Sequence, residues 1–193
     1  MQGFIENWRW EIAAYRLDKY LELNMVPPTV ERRFQGNRGS CQLWVKSEMD
    51  LRKKEREKMK VPSYKIFSYN RAIYLQRAFD NLICNEDRHQ GNVLITEDWR
   101  LILIDHSRSF RTDKKFTGKL IYDEEYEEGP RLMKELPRAF LEKIKSLNFE
   151  RIKDIVGEYL TDNEIEAVLM RRDLIIKWLD NRIKIVGEDK VLY

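Results

Sequence analysis

The residues able to do chemistry in this chain are gathered in two short segments. Both histidines of the whole sequence fall in Asn85-Glu86-Asp87-Arg88-His89-Gln90-Gly91-Asn92 and in Asp105-His106, each beside a short apolar run. Asp87 and Asn92 stand five positions apart. A turn between them can aim both side chains into one cleft. Asp105 follows the apolar residues 101–104, so its carboxylate is expected at a strand end beside Asn92. Two hard oxygen donors there suit Mg²⁺, with phosphate and water completing the shell. A single loop Asp is most often a cap or turn residue, yet the joint spacing of these three favours the chemical reading. Zinc is the weaker alternative, because Cys84, His89 and His106 lack a fourth ligand at a standard spacing.

These residues need elements to hold them. Residues 5–23 carry apolar side chains mostly three or four apart, as on one face of a helix, and Asn24 with Pro27-Pro28 ends it. Residues 29–34 and 41–46 read as two strands of a hairpin around 35–40. The charge-dense 46–60 reads as a solvated linker with a short helix, a hinge between two lobes. A second amphipathic helix is expected over 64–84, running directly into the Asp87 segment. Short buried strands follow at 93–95 and 101–104, then three helices near 131–147, 149–159 and 162–186. The last opens with a capping box, Thr161 and Glu164.

Composition sets the outer bounds. The chain has 193 residues, 42% hydrophobic and 36% charged, with only 8 Gly and 5 Pro, which excludes collagen-like, low-complexity and wholly disordered classes. Lys and Arg (36) nearly balance Asp and Glu (33), for a net charge of +3, and the isoelectric point is about 8.7. No basic stripe with interleaved aromatics points to nucleic acid. Two cysteines make no disulfide framework, no leader-like start is present, and no apolar run is long enough for a transmembrane segment, so the sequence reads as cytoplasmic.

Asp87-Arg88-His89-Gln90-Gly91-Asn92 resembles the D-R-H-x-x-N catalytic loop of a kinase-like superfamily that includes phosphatidylinositol kinases, HipA-type bacterial kinases and secretory-pathway kinases. Ile104-Asp105-His106 takes the downstream metal-binding position, 18 residues after Asp87, and Glu11 lies 76 residues before it, where that family keeps a helix-borne Glu. The resemblance implies an α+β, mainly helical fold: a reduced N-lobe over 1–47 (one helix and a β-hairpin), a hinge over 48–62 and a helical C-lobe over 63–193. It implies ATP and Mg²⁺ as cofactors. Asp87 would then orient an acceptor hydroxyl and take its proton, Arg88 and His89 would brace the loop, and Asn92 and Asp105 would hold the metal. Glu11 and the backbone of Val45, Lys46 and Ser47 would serve the nucleotide, the latter three facing adenine.

A kinase also needs a Gly-rich loop over the phosphates and a strand-borne Lys opposite the helix Glu. Both should precede Glu11, and residues 1–10 hold one Gly and no Lys. A truncated chain, a lobe supplied by a partner chain and a degenerate kinase all remain open. The competing function is a pseudokinase or regulatory module that docks a partner or a second copy through an exposed hairpin edge. A metal-dependent phosphoester hydrolase using the same Asp and Asn is the outsider.

Overall fold

A computed structural model describes residues 6–122 and 133–193. The fold is α+β and mainly helical, with helices α1 (Trp8–Leu21), α2 (Leu51–Arg56), α3 (Ile66–Ile83), α4 (Lys114–Thr117), α5 (Arg138–Ser146), α6 (Phe149–Val156) and α7 (Asp162–Val186). Strands β1 (Thr29–Phe34) and β2 (Asn37–Gln42) form an antiparallel hairpin, and β3 (Met49–Asp50), β4 (Val93–Ile95) and β5 (Leu101–Leu103) form an antiparallel sheet in that order.

The first helix starts at Trp8 because Asn7 caps it, its side chain accepting from the Arg9 amide at 3.0 Å. The expected start at Ile5 lies outside the described residues. Trp10, Ile12, Ala13, Leu17 and Leu21 form its buried face, set against α6 and the hairpin. The hairpin is tighter than the sequence suggests. Phe34 pairs with Asn37, so Gln35-Gly36 alone make the turn, and both have positive φ (49° and 83°), as a type I′ turn demands. Strand β2 therefore begins at Asn37 and ends at Gln42, the Leu43 amide still donates to the Pro28 carbonyl at 2.8 Å, and residues 44–46 leave the ladder. A non-glycine residue at a left-handed position hid this turn from a pattern reading.

Residues 46–60 are not merely a solvated linker. Met49 and Asp50 pair with Ile95 and Leu94, tying the stretch to the strand that follows Asn92, while α2 buries no residue of its own. Helix α3 buries Ala78, Phe79, Leu82 and Ile83 against α7 and β5. Its start is covered differently. Ile66 and Phe67 are exposed, and the Arg71 guanidinium lies 4.0 Å from the Phe67 ring and 3.6 Å from that of Tyr193.

The expected helix over 131–147 begins only at Arg138, since Pro137 precedes it at the N-cap, where proline is tolerated; residues 131 and 132 lie outside the described set. Gly157 (φ 60°) ends α6 three residues early, leaving a 3₁₀ turn at Gly157–Tyr159. Helix α7 carries the expected capping box, with the Glu164 amide donating to Thr161 Oγ1 and the Thr161 amide to Glu164 Oε2 at 2.7 Å. One contiguous apolar core joins α1, α3, β4, β5, α5, α6 and α7.

Candidate functional site

Asp87 sits on the loop that leaves α3. Cys84 ends the helix in a left-handed conformation, and the Asp87 amide then donates to Asn85 Oδ1 at 3.1 Å, an Asx turn that lifts the loop off the helix. His89 caps a 3₁₀ turn at Gln90–Asn92 by accepting the Gly91 amide at its Nδ1, 3.1 Å away. Asn92 closes the turn: its Nδ2 donates to the Asp87 carbonyl at 3.3 Å. Its Oδ1 has no hydrogen bond among the described residues.

Antiparallel pairing of β4 with β5 brings the two candidate ligands together. Val93 faces Leu103, and the Ile104 amide donates to the Asn92 carbonyl at 3.1 Å, so Asp105 emerges beside Asn92. Asp105 has φ of 58°, a left-handed conformation that Asp tolerates better than most residues. Its Oδ1 accepts from Ser107 Oγ at 2.8 Å, which leaves Oδ2 for another partner. This donor set fits a divalent cation that takes most of its shell from phosphate and water. Among the described residues no three carboxylate, histidine or cysteine side chains gather as a metal centre, so an all-protein cage is not what the site offers.

Arg88 turns inward. Its side chain is only 2% exposed and meets Asp80 on α3, which is fully buried, with Nε 3.1 Å from Oδ2. Its Nη1 donates to the carbonyls of Asn92 at 3.0 Å and Ile104 at 2.6 Å. One guanidinium thus fastens the loop, the start of β4 and the residue before Asp105 to α3.

Glu11 reaches the site from α1. Its Oε1 accepts the His106 amide at 2.8 Å, and its Oε2 lies 3.4 Å from His106 Nδ1. His106 is fully buried against the edge of Phe79, and that burial, helped by Arg88, lowers its pKa and keeps the ring neutral. The Glu11 carboxylate therefore holds the backbone next to Asp105.

Sequence reasoning missed Asp80, Asn85 and Arg108. Asp80 is hidden in an amphipathic helix, and its role exists only once Arg88 folds back on it. Arg108 enters from the segment after Asp105: its Nη1 lies 3.1 Å from Asp87 Oδ2, and its Nη2 donates to Glu6 Oε1 at 2.7 Å. Both carboxylates, with Asp105, raise the Arg108 pKa further, the Glu6 hydrogen bond most of all. Three positions after Asp105 is the one sequence cue it offered.

The structure brings Glu11, Asp87, Arg88, His89, Asn92 and Asp105 around one loop. Val45, Lys46 and Ser47 stand apart, on the connection between the hairpin and β3. Val45 lines a cleft of about 390 Å³ with Asp18, Pro27 and Ile102, and Lys46 lines another of about 420 Å³ with Glu48 and Thr96. Their backbone groups make no hydrogen bond among the described residues. Cys84 is buried, with its thiol pushed up to about 11 by burial, and it takes no part in the site.

No family model and no curated protein sequence matches the chain. Solved structures do. The structure of hydra Fam20 with sugar superposes with a TM-score of 0.61 at 17% identity, covering 97% of this chain and 74% of that one. The Golgi casein kinase does so at 0.60 and 15%, and its form with Mn/ADP bound at 0.63 and 14%; in each the match covers 97% of this chain and 64% of the other. The chain thus has the fold of these kinase structures over nearly its whole length, and spans less than two thirds of the Golgi casein kinase chain. No helix among the described residues is long and apolar enough to cross a membrane.

Proposed function

We propose that this chain is the catalytic-loop portion of a kinase-like phosphotransferase of the D-R-H-x-x-N type, acting with ATP and a divalent cation on a hydroxyl acceptor. The observation that carries it is the meeting of Asn92 and Asp105 at paired strand ends, with Asp87 on the same turn as Asn92. Asp87 accepts the acceptor's proton, and Asn92 Oδ1 and Asp105 Oδ2 hold the cation that neutralises phosphate charge when it is bound. Arg88 braces these residues, Glu11 fixes the backbone after Asp105, and His89 shapes the loop. Val45, Lys46 and Ser47 offer their unpaired backbone groups to adenine. The likeness to a kinase solved with Mn/ADP supports a nucleotide and a divalent metal here, with Mn²⁺ to be tried beside Mg²⁺. It also takes away the support for a cytoplasmic setting, because the solved relatives include a Golgi kinase.

The test is thermal denaturation of this chain with ADP or ATP, with and without Mg²⁺ or Mn²⁺, beside Asp105→Ala. A ligand that binds only the folded state raises its melting temperature. A metal-dependent rise that Asp105→Ala abolishes is expected. A rise of the same size in the variant, or none in either protein, overturns the assignment of the metal site.

A second reading, a regulatory module that docks a partner or a second copy, draws on one observation. The hairpin and its exit expose Val30, Phe34, Leu43 and Trp44, the last at 93%. Concentration-independent monomer behaviour in sedimentation would count against it.

A further inference from the structure

Three residues after Asp105 the chain sets an arginine among carboxylates. Arg108 Nη1 lies 3.1 Å from Asp87 Oδ2, while its Nε and Nη2 donate to Glu6 Oε1 at 3.1 and 2.7 Å. The charge of Asp105 acts on the same guanidinium, after those of Asp87 and Glu6. Its backbone is held too. The Asn7 amide donates to the Ser107 carbonyl at 2.9 Å, and Ser107 Oγ donates to Asp105 Oδ1 at 2.8 Å. The guanidinium is thus anchored beside the start of α1 and reaches from there to the candidate base. The Arg108 side chain is 25% exposed and that of Asp87 33%, so water screens their pairing only in part.

Neighbouring arginines do other work. Arg88, next to Asp87 in sequence, turns inward to Asp80, and Arg111 pairs with Glu86, its Nε 3.3 Å from Oε1. The positive charge beside Asp87 Oδ2 is therefore that of Arg108. Carboxylates gathered in one place repel one another, and a cation among them relieves that repulsion. A divalent cation at Asn92 and Asp105 would relieve it with a larger charge, and would itself repel the guanidinium. Two cations that answer the same carboxylates compete.

We infer that Arg108 is a built-in counter-cation of the candidate site, which covers Asp87 Oδ2 and which a divalent cation bound at Asn92 and Asp105 displaces. The inference rests on the metal site proposed above and adds a control to it: metal binding uncovers the base, so proton acceptance by Asp87 follows metal loading. Linkage makes the effect reciprocal. If the cation weakens the hold of Arg108 on the carboxylates, removing Arg108 must tighten their hold on the cation. A mere brace predicts the opposite sign, since losing it would loosen the segment that carries Asp105 and weaken the binding.

The experiment is a titration of the full chain with Mn²⁺ alone at constant ionic strength, with free Mn²⁺ read by electron paramagnetic resonance. Arg108→Gln and Arg108→Met remove the charge, so one misfolded variant does not decide the test, and melting curves without metal report which of them fold. Arg108→Lys keeps the charge, Arg111→Gln removes one from the same segment away from Asp87, and Asp105→Ala removes the ligand. The expected result is a binding midpoint at least about threefold lower in the folded charge-free variants. Arg108→Lys and Arg111→Gln should stay near the parent, and Asp105→Ala should not bind. A midpoint in Arg108→Gln and Arg108→Met equal to or above the parent's overturns the proposal and leaves the metal site standing. An equal fall in Arg111→Gln also overturns it, because net charge then accounts for the effect. Binding by neither the parent nor the charge-free variants, or binding that survives Asp105→Ala, overturns the metal site and the proposal together.

Discussion

Arg88 is the clearest case of a side chain whose role is set by burial rather than by type. A guanidinium that bonds Asp80 and the carbonyls of Asn92 and Ile104 is a structural tie among three segments. Removing it leaves a fully buried carboxylate unpaired, which typically costs about 3–5 kcal/mol. Arg88→Ala is therefore expected to lower the urea midpoint sharply, whereas Arg88→Met with Asp80→Leu should regain part of the loss; equal midpoints for Arg88→Ala and the parent would refute the tie. Asp18 makes a second prediction. It is buried and accepts the Met25 and Val26 amides, and burial pushes its carboxyl up to about 6. The folded state then holds this proton more tightly than the unfolded chain, so the stabilisation is full below about pH 4 and is lost as pH rises through 6, up to roughly 3 kcal/mol. Asp18→Asn, permanently neutral, should gain in melting temperature relative to the parent between pH 4 and pH 7. Parallel curves across that range would show that Asp18 does not titrate as described. The spacing of Asp87, Asn92 and Asp105 was legible because it is local to one turn and one strand pair. Asp80 and Arg108 were not, because their meaning lies in partners brought by tertiary folding.

At the scale of elements, periodicity located every long helix, and caps and breakers corrected their ends. Thr161 shows how far local chemistry reaches. Its hydroxyl and the Glu164 carboxylate satisfy each other's backbone amides at the start of α7, and Glu164 Oε1 also accepts the Trp10 indole at 2.7 Å. Thr161→Ala should cost about 1 kcal/mol in chemical denaturation. Glu164→Ala should cost more, because it also frees a buried indole; equal losses would mean that the bond to Trp10 carries no weight. The hairpin was legible as a hairpin but not as a two-residue turn, since Gln35 adopts a left-handed conformation that its type does not announce. The pairing of Met49 and Asp50 with β4 was hidden for another reason: two residues are too few to show a period.

For the whole molecule, the α+β, mainly helical class was implied by the resemblance of the Asp87–Asn92 loop, in keeping with the run of expected helices and short strands, and the solved kinase structures bear it out over nearly the whole chain. What no pattern carried is the way the first helix is used. Glu11 bonds a backbone amide 95 residues away, and Trp10 a carboxylate 154 residues away, so α1 serves the site and the last helix together. The order of synthesis gives this a consequence. Helix α1 leaves the ribosome well before α7 and meets Glu164 only after those 154 residues have been made, which at about 5–20 residues per second is roughly eight to thirty seconds. During that interval its apolar face of Trp10, Ile12, Leu17 and Leu21 can meet the hairpin but not α6 or Glu164, and the nascent chain depends on chaperones or transient contacts to keep the uncovered part from aggregating.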